Sequence, residues 1–191
     1  MFRKVRLIAI VLAAFLPICL LLMFTGNAEI IWHGFGVDSL GQIYVGTANT
    51  IDVFLDGIQI RSIPLPAFRS YYFTVDNDEL LIAATRDIYT LDLYGVELTH
   101  TLDPSARTYS LLQHKHTAQS SNGTIYRAHN LLLRCTISKE DGVVMYKMPM
   151  FDFAVKLLLY TAMVAIIYLG TSNELKKDIS IYLAKIGHRN R

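Results

Sequence analysis

His114 and His116 stand two residues apart with Lys115 between them. On an extended strand that spacing puts both imidazoles on one face, where they can ligate zinc or copper. A closed zinc site takes four ligands, and no third ligand lies nearby in the sequence, so an exposed polar strand is the simpler reading. Asp76-Asn77-Asp78-Glu79 starts like a calcium loop. It lacks the glycine at the sixth place and the glutamate at the twelfth, and it is read as an acidic β-turn. His33 follows Trp32 just beyond a long apolar run, a setting that suits a membrane–water interface better than catalysis. Cys19 lies inside that run and Cys135 in the middle of the chain, which excludes a disulfide framework. Cys135, with Leu131, Leu133 and Ile137 expected on the same strand face, reads as a small buried hydrophobe. Asn122-Gly123-Thr124 is a glycosylation sequon, meaningful only in a eukaryotic secretory pathway. G-x-S-x-G, H-E-x-x-H, P-loop and CxxC patterns are missing from the chain. The residues thus predict no catalytic group, no cofactor and no metal site, and the expected function is non-enzymatic.

The elements that must carry these residues begin with Asp38 to Pro64. Ile43 to Val45 predicts a strand, with Gly41 making the tight turn before it. Ile51, Val53 and Leu55 alternate with Asp52 and Phe54, the period of a half-buried strand. Asp56-Gly57 is a hairpin signal, because a type I′ turn needs positive φ at both central residues. Ile58 and Ile60 then alternate with Gln59 and Arg61, and Pro64, with no N–H to give, ends the strand. The unit recurs. Gly41-Gln42-Ile43-Tyr44 is matched by Glu79-Leu80-Leu81-Ile82 and by Gly123-Thr124-Ile125-Tyr126, and the Asp56-Gly57 turn by Tyr94-Gly95 and Asp141-Gly142. Equivalent glycines stand 38 (57 to 95) and 47 (95 to 142) residues apart, and periods of this size with several short strands per unit predict propeller blades.

DSLGQIYVGTANTIDVFLDGIQI resembles an NHL-type propeller repeat: an acidic turn, Gly, a Tyr-containing strand, a short loop, then a strand ending in an acidic-Gly turn. YFTVDNDELLIAATRDIYTLDLYGVEL is similar to the strand pairs of NHL, quinoprotein-type and WD-repeat blades. The third unit, SSNGTIYRAHNLLLRCTISKEDGVVMYKMP, keeps the turns and lacks the acidic turn before Gly123. The Trp-Asp pair of WD repeats and the Tyr-Trp-Thr-Asp motif of receptor propellers are both missing. The resemblance covers about Phe35 to Met148 and implies a binding scaffold.

Apolar runs flank this middle segment. Leu7 to Phe24 is uninterrupted and follows three cations in the first six residues, and Phe151 to Gly170 is a second run whose Lys156 can lift its ammonium to the headgroups. Two readings compete for the first run: a secretory signal, for which Gly26-Asn27-Ala28 is a passable cleavage site, and an uncleaved anchor, favoured because the run is long for a signal and a second run follows. Overall the chain is 52% hydrophobic and 18% charged with net charge +2 and mean hydropathy +0.33, below the roughly 25% charged residues of soluble domains. Residues 27–151 carry nine Lys/Arg against thirteen Asp/Glu, which argues against a nucleic-acid partner. Cations border both runs on the side away from this segment, so both termini are expected in the cytoplasm of a two-span cell-membrane protein. Thr171-Ser172-Asn173-Glu174 has the form of a capping box. It predicts a short basic amphipathic helix with Leu175, Ile179, Tyr182, Leu183 and Ile186 on one face, suited to an anionic leaflet or, by the same stripe, to packing on a partner protein.

The expected architecture is an N-terminal span within 1–26, an all-β extracytoplasmic domain of about three propeller-like blades over 27–150, a second span over 151–170 and a cytoplasmic tail over 171–191. The expected function is a membrane-anchored binding or scaffolding module, a sensor or an accessory subunit of a membrane complex. The alternative is a metal-binding enzyme or transporter subunit using His114 and His116. The lipid bilayer is one partner. Three blades alone are expected to leave apolar outer faces, which predicts a homo-oligomer or a protein partner.

Overall fold

The computed structural model describes residues 2–25, 27–28, 31–66, 70–131 and 134–189. The chain forms two compact units, one of Glu29–Phe153 and one of Met1–Ala28 with Ala154–Arg191. The latter begins with helices α1 (Phe2–Ala14) and α2 (Leu16–Phe24). Pro17 stands in the first turn of α2, where its missing N–H and rigid ring prevent one continuous ladder. The break is closed by Phe15 N–H donating to Leu12 O at 3.1 Å. Val5–Phe24, 20 residues of mean hydropathy 3.0, is long and apolar enough to cross a membrane.

The unit Glu29–Phe153 is built from three four-stranded antiparallel sheets, each a meander in chain order. Sheet 1 holds β1 (Phe35–Val37), β2 (Ile43–Gly46), β3 (Thr50–Leu55) and β4 (Ile58–Pro64). Sheet 2 holds β5 (Tyr72–Asp76), β6 (Glu79–Ala84), β7 (Asp87–Asp92) and β8 (Glu97–Leu102). After helix α3 (Arg107–Gln113), sheet 3 holds β9 (Thr117–Gln119), β10 (Ile125–Leu131), β11 (Arg134–Lys139) and β12 (Val144–Lys147). These sheets are consistent with propeller-like blades. The turns follow their residues: Asp56 and Gly57 have φ of 49° and 80°, and Asn77 and Asp78 have 50° and 58°, the left-handed pairs of type I′ hairpins. Ala106, ahead of α3, offers no side-chain cap. Asp103 serves instead, its carboxylate accepting the N–H groups of Ser105 at 3.1 Å and Thr108 at 2.9 Å. The bonds from Ser105 and Thr108 hold its pKa down at about 2.

Sheet 1 lies in the middle. One face, with Tyr44, Ile51, Val53 and Ile63, packs against Phe73, Leu80, Ile82 and Leu91 of sheet 2. Its other face, with Phe35, Val37, Ile43 and Val45, packs against Ala118, Tyr126, Ile137 and Met145 of sheet 3. The third sheet therefore returns to the free face of the first instead of continuing onto the second. The register puts Thr117 opposite Arg127, Arg127 opposite Ser138, and His129 opposite Thr136, so the outward face of sheet 3 is polar. On sheet 2, α3 covers the inner part of the outward face: the ring of Tyr109 meets that of Tyr72 at 5.0 Å. Ala83, on the same face by its pairing with Tyr72, is buried. Among the described residues these two outward faces are largely polar or partly covered, with Leu111 of α3 and Val144 of β12 left exposed.

Two local expectations change. β9 starts at Thr117, which puts His114 at the C-terminal cap of α3 and His116 in the following loop. The pair does not share a strand face, because Leu111 and Leu112 extend the helical turn up to it. Leu131 and Cys135 belong to successive strands, β10 and β11, and not to one; Leu132 and Leu133 lie outside the described residues. Cys135 is buried.

The last element is α4, Met150–Arg189, a single helix of 40 residues and about 60 Å. Met150–Thr171 within it is the second segment long and apolar enough to cross a membrane, with mean hydropathy 2.0. A separate tail helix starting at Thr171 is not formed. The Thr171 hydroxyl donates backwards to Ile167 O at 3.0 Å and Tyr168 O at 3.2 Å, as a threonine does inside a helix. The side chains of the proposed tail stripe lie outside the described residues.

Candidate functional site

The turns that follow β1, β5 and β9 meet around a cavity of about 620 Å³. Asp38 and Ser39 come from the first turn, Asp76, Asn77 and Asp78 from the second, and Gln119, Ser120, Ser121 and Gly123 from the third. Two hydrogen bonds tie the first turn to the others. Ser39 N–H donates to Asp78 Oδ1 at 2.7 Å, and the Ser121 hydroxyl donates to Ser39 O at 3.3 Å. In an antiparallel meander the first and third turns lie at the same end of their sheet, which places 56–57 and 140–143 at the cavity end of sheets 1 and 3. The 93–96 turn of sheet 2 reaches instead to Ile63, toward the far end of β4, where a Cβ on Gly95 would meet Ile63 Cγ2 at 2.5 Å. The chain enters β1 and leaves β12 at the opposite end.

One wall is fixed by a buried polar relay. Asp38 is 2% exposed, and its Oδ1 accepts Leu40 N–H at 3.0 Å and Gln42 N–H at 2.8 Å. Its Oδ2 accepts the Tyr44 hydroxyl at 3.2 Å. Arg61 Nη2 donates to the same hydroxyl at 3.3 Å, and the guanidinium lies over the Tyr94 ring, 4.7 Å from its centroid. Burial, then the Asp38 charge, pushes the Tyr44 phenol well above its ordinary pKa, so it stays a neutral donor. The relay positions Asp38 by satisfying both its oxygens. Lys115 stands near the second turn: its ammonium donates to Thr74 Oγ1 at 2.8 Å. Burial lowers its pKa and the nearby Asp76 charge opposes that shift.

The cavity offers carboxylates, hydroxyls and side-chain amides from segments some 80 residues apart. These groups can donate and accept hydrogen bonds and present negative charge to the cavity. The acidic turn Asp76–Glu79, read as a plain β-turn, is one of its walls; the turns before Gly41 and Gly123 are legible in the sequence as repeat turns, but not as parts of one site. The expected histidine pair stands apart from it: His114 Nδ1–H donates to Ser110 O at 2.9 Å, closing α3. Among the described residues no group of three or more His, Cys, Asp or Glu is placed to hold a metal ion. His33, expected at a membrane interface, is buried. Its ring stacks on Tyr71 at 4.5 Å and 3°, and Nδ1–H donates to Tyr71 O at 3.0 Å. It joins the strand-entry segment to sheet 2.

No family model matches the chain, and no curated protein matches it. Solved structures do. An inactive variant of virginiamycin B lyase from Staphylococcus aureus, with quinupristin, is similar at 15% identity and a TM-score of 0.35, over 60% of this chain and 40% of that one. A protein of unknown function from Bacteroides caccae is similar at 11% identity and a TM-score of 0.28, over 61% of this chain and 44% of that one. The chain thus spans less than half the length of either.

Proposed function

We propose that this protein is a membrane-anchored, non-enzymatic binding module that engages its ligand at the three-turn end of its β unit. The sheets are read as NHL-like propeller blades, the two apolar helices as spans of the cell membrane, and both termini as cytoplasmic. One observation carries the reading: turns from all three sheets converge on one polar cavity, at the end opposite both chain exits. Turns on a rigid sheet scaffold are where binding residues concentrate, because the strands hold them without using their side chains. The module serves as a sensor or as an accessory subunit of a membrane complex.

A photo-crosslinking amino acid placed at Ser121, on the cavity rim, tests this in native membranes. The same group at Thr136, on the outward face of sheet 3, is the control. The expected result is a discrete crosslinked product from the rim alone; equal products from both positions would sink the assignment.

A further inference from the structure

We propose that the three-turn end docks a basic protein segment, whose lysine or arginine enters the cavity while its apolar neighbours rest on the rim. This deepens the binding-module reading and rests on it. The end is strongly acidic. Asp38, Asp76, Asp78 and Glu79 come from the turns after the innermost strands, and Asp56, Glu140 and Asp141 from the turns before the outermost strands of sheets 1 and 3. Facing them are few cations. Arg61 is committed to the Tyr44 hydroxyl at 3.3 Å, Arg127 is engaged by Glu140 at 3.6 Å, Lys115 is held by Thr74 beside Asp76, and Lys139 stands at the end of β11. Asp38, Asp76 and Asp78 line the cavity itself, and potentials of one sign in a cleft focus the opposite charge there.

The second observation is apolar. Sheets 1 and 3 leave large hydrophobic side chains exposed at this same end: Leu40 at 76% and Ile58 at 69%, with Val143 and Val144 more than half exposed. They lie on or beside turns outside the cavity lining and are not part of either core cluster. A free metal ion or a small amine uses the carboxylates and leaves this rim uncovered. A peptide or loop that alternates cationic and apolar side chains uses both, which singles out that class. Shape agrees, since about 620 Å³ accepts one or two long side chains and not a folded domain.

The test uses the full chain in phosphatidylcholine nanodiscs, so that the lipid carries no net charge. The probe is a fluorescent peptide of alternating lysine and leucine, with a glutamate–leucine peptide of equal length as its counterpart. Asp78→Asn preserves the acceptor for Ser39 N–H and the positive φ that Asn tolerates, so it removes charge without removing the turn. Asp76→Asn combined with Asp78→Asn should weaken the lysine peptide at least tenfold, and Ile58→Ser with Val144→Ser several-fold. Asp87→Asn, at the other end of the unit, should leave binding unchanged. Equal binding of the two peptides would overturn the basic-partner class while leaving the crosslinking test of the binding end standing. Lysine-peptide binding indifferent to all the turn substitutions would overturn the site itself.

Discussion

Tyr44 is the residue on which the cavity wall depends. Its hydroxyl bridges Asp38 and Arg61 in a site with no water access, its own exposure being 0%. Tyr44→Phe keeps the packing and strips both neighbours of a partner. It should lower stability by about 1–3 kcal/mol, the usual cost of an orphaned buried polar group, read as a drop in thermal unfolding midpoint in detergent. His33 gives a pH-dependent test. Burial lowers its pKa below the ordinary value of 6.5, so the folded chain holds it neutral while the unfolded chain takes up a proton. Its contribution is complete above about pH 6.5 and is lost as pH falls below that. His33→Phe, which keeps a ring on Tyr71, should flatten the fall of the unfolding midpoint between pH 7.5 and 5.5; an unchanged slope would refute the assignment. Neither residue's role was readable in the sequence. Tyr44 looked like a strand residue, and its partners sit 6 and 17 positions away in directions set by the register. His33 beside Trp32 looked interfacial because nothing local announces Tyr71, 38 residues on.

At the scale of elements, hairpins were legible and packing order was not. Asp56-Gly57, Gly95 and Gly142 marked the outermost turns because their backbone geometry needs particular residues, and all three glycines have positive φ. Periodicity tells which face of a strand is apolar, but not which sheet covers it, so the central place of sheet 1 could not be read. That place depends on close approach. A Cβ on Gly36 would stand 2.3 Å from Val75 N and 2.6 Å from Val75 Cγ2, a clash with backbone that cannot swing aside. Gly36→Ala should therefore cost roughly 3 kcal/mol, the upper end of ordinary overpacking, and shift the unfolding midpoint accordingly. The capping-box reading of Thr171 failed for a related reason: capping residues also occur inside helices, where the hydroxyl turns back to a carbonyl. Because α4 runs on unbroken to Arg189, the tail should project about 27 Å beyond Thr171 rather than lie along the leaflet. A fluorophore on Ile186→Cys should escape quenching by headgroup-labelled lipid in nanodiscs; efficient quenching would restore the surface-lying tail.

For the whole molecule, the topology is the first matter to test. In a Cys-free background, Ser121→Cys should react with an impermeant thiol reagent on intact cells and Ser180→Cys should not. The opposite pattern would invert the orientation. The architecture also bears on how the protein is made. Sheets 1 and 2 are complete once Leu102 has been synthesised, yet the face of sheet 1 bearing Phe35, Val37, Ile43 and Val45 stays bare until residues 117–147 arrive to cover it. Every nascent chain passes through an interval in which a sticky β surface has no cover, the state in which chains aggregate or recruit chaperones. A ribosome stalled just after Gln113 would hold the protein in that interval, and the newborn chain, more than the finished one, is where a holdase would find its grip.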